Sequence, residues 1–93
     1  MITVHTEYHS HFREITATER DTFDLEEPLV SELARRITEK YGEQMEAMLI
    51  DPDTKDLNAR GTMYIDSKGR RVSIADELQD GETIAFLVGI AGG

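Results

Sequence analysis

The stretch Asp80-Gly81-Glu82-Thr83-Ile84-Ala85-Phe86-Leu87-Val88-Gly89-Ile90-Ala91-Gly92-Gly93 decides how this sequence reads. Asp80-Gly81 signals a turn, and the alternating apolar run behind it has the pattern of a buried strand, with Ile84, Phe86 and Val88 on one face and Ala85 and Leu87 on the other. No acidic or Ser-rich linker separates that run from Ile90-Ala91 and two glycines. Paired glycines make the narrowest and most pliable peptide available, so this end is expected to thread a tight channel and offer the Gly93 carboxylate to a reagent inside. Residues 1–88 are therefore expected to form one folded domain, with residues 89–93 a flexible tail. Ordering four tail residues costs on the order of 4–8 kcal/mol. A partner must then grip the backbone of Ile90, Ala91 and Gly92, most simply as an extended strand.

Composition narrows the function. No window approaches 18 consecutive apolar residues, and the first residues lack the basic start and apolar run of a secretory signal, so a soluble, cytoplasmic protein is expected. The absence of cysteine excludes disulfides, thiolate metal sites and a cysteine nucleophile. A net charge of -9 argues against nucleic acid and anionic membrane as partners, and suits a protein that meets a basic face on another protein.

Outward from the last strand, the chain supplies a sheet and a helix to cover it. Ile2, Val4, Thr6 and Tyr8 alternate with Thr3, His5, Glu7 and His9, a first strand with the even positions inward. His5, His9 and His11 share the outward parity if the strand persists that far, but their spacing is not that of a metal site. Residues 11–18 break the alternation and read as a connection with one helical turn, pinned by Phe12 and Ile15. Residues 19–25 alternate again, with Phe23 and Leu25 inward in an antiparallel second strand. Glu26-Glu27-Pro28 is expected to open a helix, Pro being tolerated in a first turn.

Val30, Leu33, Ala34, Ile37 and Tyr41 form the buried stripe of that helix, with Glu32 paired to Arg36 on its wet side and Gly42 as its stop. Met45, Met48 and Leu49 predict a short second helix. Residues 51–56 superficially match a calcium loop but lack its glycine and closing glutamate, and read as an acidic surface turn. Residues 62–66 and 70–72 flank Ser67-Lys68-Gly69 as a hairpin, and Ile74, Ala75 and Leu78 link it to the final strand.

This order resembles the β-grasp (ubiquitin-like) fold: α+β, a mixed sheet of four to five strands, one main crossing helix and a short second helix. Within it the chain resembles the sulfur-carrier family, which includes the small subunit of molybdopterin synthase and the thiamine- and cysteine-pathway carriers. The likeness rests on Arg13-Glu14-Ile15-Thr16-Ala17, the helix from Val30 to Tyr41, Asp80-Gly81-Glu82 with its strand, and Ala91-Gly92-Gly93. Leu87-Val88-Gly89-Ile90 stands where molybdopterin-synthase small subunits carry a Pro-Pro pair, and Ala17 where the family commonly has Gly.

The resemblance implies a carrier rather than an enzyme. A ubiquitin-activating-enzyme-like adenylyltransferase would use ATP to convert the Gly93 carboxylate to an acyl-adenylate, and a persulfide would then convert it to a thiocarboxylate, Gly92 giving clearance. The sulfur would pass to an acceptor synthase, either a large subunit or a cysteine or thiazole synthase. No catalytic residue, bound cofactor or metal is expected in the chain itself. Leu87 and Ala85, with Tyr64 beside them on the open face of the sheet, are the expected docking patch. Two other readings stay open: a ubiquitin-like modifier joined through Gly93 to lysines on targets, and a non-covalent adaptor whose tail is incidental.

Overall fold

The computed structural model describes residues 1–88. The expected tail, residues 89–93, lies outside them. Four strands and three helices follow one another as β1 (Ile2–Tyr8), α1 (His11–Thr16), β2 (Arg20–Leu25), α2 (Val30–Tyr41), α3 (Glu43–Leu49), β3 (Thr62–Ile65) and β4 (Thr83–Val88). The sheet runs β2-β1-β4-β3, with β1 parallel to β4 and the other pairings antiparallel. This is the β-grasp arrangement, at the lower of the two expected strand numbers. No helix among the described residues is long and apolar enough to cross a membrane.

Parity builds the core. Val4, Thr6 and Tyr8 of β1, Phe23 and Leu25 of β2, Tyr64 of β3 and Ile84 and Phe86 of β4 are buried on one sheet face. Val30, Leu33, Ala34 and Ile37 of α2 cover them, joined by Phe12 of α1 and by Met45 and Leu49 of α3. Phe86 is the hub. Tyr8, Phe12 and Tyr64 each meet its ring edge-to-face, at centroid distances of 5.4, 5.4 and 5.3 Å, a favoured arrangement for aromatic quadrupoles.

A polar tie anchors the edge of this layer. The Asp21 carboxylate accepts hydrogen bonds from the Tyr8 hydroxyl (2.9 Å), the Lys40 ammonium (2.8 Å) and the Tyr41 hydroxyl, fastening β1, β2 and the last turn of α2 to one point.

Four sequence expectations change in the structure. Pro28 does not open α2: Leu29 is the extended N-cap residue, held in a bridge to Glu77, while the Pro28 carbonyl accepts the Leu78 amide at 2.7 Å, so the helix starts at Val30. Glu32 pairs with Arg35 rather than Arg36, because Arg36 turns to the edge of the sheet and donates to the Asp24 carbonyl at 3.3 Å.

Residues 70–72 are not a strand either, since only the single bridge Ile65–Arg71 forms. The Asp66 carboxylate accepts the amides of Lys68 and Arg70, both at 2.9 Å, which tightens the turn, and Ser73 then bends the chain away by donating its amide to Asp76. Those amides, Arg70 foremost, hold the Asp66 carboxyl below its ordinary range. The acidic 51–56 turn is built the same way. Asp51, only 9% exposed rather than on the surface, accepts the amides of Asp53 and Thr54, and Asp56 accepts those of Leu57 and Ile74.

Ala17 caps α1 with φ 58° and ψ 21°, its amide reaching the Arg13 carbonyl at 2.9 Å. Left-handed backbone costs a residue with a Cβ roughly 1–2 kcal/mol. Ala17→Gly is therefore expected to raise stability by about 0.5–1 kcal/mol, after its larger unfolded-state entropy is deducted. A higher urea midpoint with an unchanged slope is the result that checks it.

Candidate functional site

The site is built from the start of β4 to its end. At the start, each residue of Asp80-Gly81-Glu82 fixes β4 against β1. The Asp80 carboxylate accepts the Thr3 amide (2.8 Å), the Gly81 amide donates to the Thr3 carbonyl (2.7 Å), and the Glu82 carbonyl accepts the His5 amide (2.8 Å). Gly81 adopts φ 84°, a conformation that side chains with a Cβ resist. Glu82 also closes the turn on itself, its carboxylate accepting the Gln79 amide at 3.0 Å. The parallel register follows, His5 opposite Thr83 through Tyr8 opposite Phe86.

At the far end β4 lies between two partners, and Val88 stands opposite Thr62 of β3. Gly93, Gly92, Ala91 and Ile90, the residues expected to carry and surround the reactive carboxylate, lie outside the described residues.

The open face of the sheet can be read over residues 1–88. Ala85 and Leu87 are there, half-exposed as the parity of β4 requires. Tyr64 is not. It stands opposite Phe86 in the β3–β4 ladder, and directly opposed residues share a face, so its ring enters the core at 3% exposure. The neighbours of Leu87 and Ala85 are instead Met63 and Ile65, also half-exposed. The sequence signal was present in the alternation Thr62-Met63-Tyr64-Ile65, but choosing its parity needs the register against β4.

One cross-strand row runs the width of the sheet on this face: Arg20 opposite Glu7, Glu7 opposite Ala85, Ala85 opposite Ile65, and Ile65 opposite Arg71. The apolar strip of Ala85, Leu87, Ile65 and Met63 thus lies between the Arg20–Glu7 ion pair on one side and Arg71 on the other. Sequence reading overlooked Arg71, Met63 and Ile65.

The histidines do not converge. His5 faces outward from β1 with Nδ1 3.0 Å from the Thr22 hydroxyl. β1 ends at Tyr8 and the chain turns at Ser10 (φ 52°), so His9 leaves the sheet and His11 begins α1, its Nδ1 3.3 Å from Glu14. Among the described residues no group of three or more His, Asp or Glu side chains is placed to hold a metal ion.

No protein-family model matches the sequence, and no curated protein is similar enough to serve as a relative. Solved structures do match. The small archaeal modifier protein 1 of Haloferax volcanii superposes with a TM-score of 0.80 at 10% identity, over 97% of this chain and 100% of that one. A Pyrococcus furiosus protein described as subunit 1 of the molybdopterin converting factor gives 0.72 at 20% identity, over 97% and 100%. A chain of the BexX/CysO complex of Amycolatopsis orientalis gives 0.74 at 20% identity, over 97% and 99%. Such identities carry the fold and nothing finer, and near-complete coverage on both sides means that a whole domain is shared. The chain has the ubiquitin-like β-grasp fold, the fold of the small modifier and the converting-factor subunit.

Proposed function

We propose that this chain is a sulfur carrier whose Gly93 carboxylate is activated and sulfurated by partner enzymes. The observation that carries this reading is β4: an inner strand, fixed at its start by Asp80-Gly81-Glu82, whose end at Val88 is followed in the sequence by five residues finishing in Gly92-Gly93. Five extended residues reach at most about 17 Å. A partner that acts on Gly93 must therefore cover the sheet end and the surface beside Leu87.

In this reading the chain supplies a handle and a docking face, and its partners supply the chemistry. A carboxylate is a poor electrophile until it gains a leaving group. An adenylyltransferase joins the Gly93 carboxylate oxygen to the α-phosphorus of ATP and releases pyrophosphate. The terminal sulfur of a persulfide then attacks the acyl carbon and displaces AMP, and a second thiol, forming a disulfide, frees the thiocarboxylate. The acceptor is a cofactor, thiazole or cysteine synthase.

A second reading is supported by the match to a protein named as a modifier: attachment of Gly93 to lysines of other proteins. Its signature would be Gly-Gly remnants on those lysines.

The test incubates the chain with an adenylyltransferase of the ubiquitin-activating type from the same organism, ATP and a persulfide donor. Intact-mass measurement is expected to show replacement of one oxygen by sulfur, at the last peptide only. Gly92→Val is expected to hold the product at background while leaving the melting temperature of the domain unchanged. An equal yield from Gly92→Val, or none from the natural chain, overturns the proposal.

A further inference from the structure

Nineteen carboxylate side chains face ten lysines and arginines in this sequence, and not every cation is paired with one. Arg13, Arg20, Arg35, Lys40, Arg60 and Arg70 each have one. Among the described residues Arg36, Lys55, Lys68 and Arg71 do not, and of these four it is Arg71 that stands in the cross-strand row of the open face. Its Nη2 rests 3.1 Å from the thioether sulfur of Met63, a weak acceptor that leaves most of the five guanidinium donors open.

Its position gives that vacancy a meaning. The backbone bridge to Ile65 fixes Arg71 at the rim of the strip formed by Met63, Ile65, Ala85 and Leu87. At the opposite rim the Glu7 charge is already met by Arg20. The strip therefore has an apolar floor and, at its edge, a charge that forms no ion pair among the described residues, and that charge is positive. A surface that covered the strip without offering an anion would strip water from a guanidinium and return nothing, which is strongly unfavourable.

We propose that this strip docks a partner protein that sets an apolar side chain on Leu87 and Met63 and an Asp or Glu carboxylate on Arg71, paired through two parallel N–H···O bonds. The inference rests on the carrier reading and names what the activating partner presents. It also reverses, for this one patch, the sign that the net charge of -9 suggests: the partner is acidic where it touches the strip.

The test measures AMP-forming activation of the natural chain, Arg71→Glu, Arg71→Lys and Lys68→Glu by the same adenylyltransferase. Lys68→Glu is the control, since it alters net charge as Arg71→Glu does but is an exposed turn residue outside the cross-strand row. Arg71→Glu is expected to raise KM about 30-fold or more with kcat within twofold, as removal of a desolvated charge pair does. Arg71→Lys, which keeps the charge and loses the fork, should raise it severalfold, and Lys68→Glu less than twofold. Melting curves of each variant separate docking from folding.

If the natural chain is not activated at all, the carrier reading falls and this inference with it. If it is activated and Arg71→Glu matches Lys68→Glu in KM, or loses only kcat, the carrier reading stands and the docking assignment is overturned.

Discussion

Phe86→Ala is expected to destabilise the domain by about 3–5 kcal/mol, the range for an aromatic core residue truncated where the surroundings cannot close. Phe86 is 3% exposed and three other aromatic rings, from β1, α1 and β3, rest their edges or faces on it. Removing it opens a void among rigid planes that have few alternative rotamers, so little of the loss is recovered by collapse. Domains of this size carry about 0.05–0.15 kcal/mol per residue, roughly 5–14 kcal/mol in all. The variant is then left with a measurable unfolded fraction at ordinary temperature. Urea unfolding followed by circular dichroism measures it. Phe86→Leu, which retains most of the volume, should cost less than half as much, and equal losses for the two would show that the aromatic cluster is not the source.

The second strong expectation concerns pH. Every tyrosine of the chain has its hydroxyl pushed above the ordinary value of 10.0 by burial, and Tyr8 and Tyr41 further by the Asp21 carboxylate beside them. Above that value the unfolded chain loses phenol protons that the folded chain keeps. The stability from holding them neutral is complete below pH 10.0 and drains away as pH rises toward the folded values. The slope is roughly 1.4 kcal/mol per pH unit for each of Tyr8 and Tyr64, both nearly fully buried.

Stability is thus expected to fall as pH rises above the ordinary tyrosine value, until the domain unfolds. Phenolate absorbance should appear in one cooperative step together with loss of the far-ultraviolet helix signal. Phenolates that form gradually from pH 10.0, with the circular dichroism intact, would refute it.

The acid side runs through Asp21. Burial alone would raise its carboxyl, but the hydrogen bonds from Lys40, Tyr41 and Tyr8 outweigh it and the net shift is downward. That contribution is present above the unfolded carboxylate value and is lost as pH falls through the folded one. Asp21→Asn should flatten the acid limb of the stability curve.

Much of this architecture was legible in the sequence because it is local and periodic. The strand parities of β1, β2 and β4, the stripe of α2 and the stop at Gly42 are each decided by a few neighbouring residues. What was misread depends on distant partners. Tyr64 was placed on the wrong face because a four-residue strand with Met63, Tyr64 and Ile65 in succession is apolar in both parities, and only pairing with Phe86 chooses between them.

The extra strand at 70–72 failed because Ser73, its amide given to Asp76, bends the chain away after a single bridge, a bend that alternation does not register. Arg71 could not be singled out at all, since its place at the rim of the open face comes from its bridge to Ile65. At the Asp80-Gly81-Glu82 turn the sequence was informative for a reason that the structure supplies: all three residues bind β1 by identifiable hydrogen bonds.

The parallel pairing of β1 with β4 joins residues 5–8 to residues 83–86, almost the full length of the polypeptide apart. During synthesis β1 must wait with one side unpaired until residues 83–86 have left the ribosome, and closing so long a loop is intrinsically slow. A nascent chain halted before Thr83 should therefore be protease-sensitive throughout and prone to self-association along the exposed edge of β1, while one carried past Val88 should become resistant in a single step.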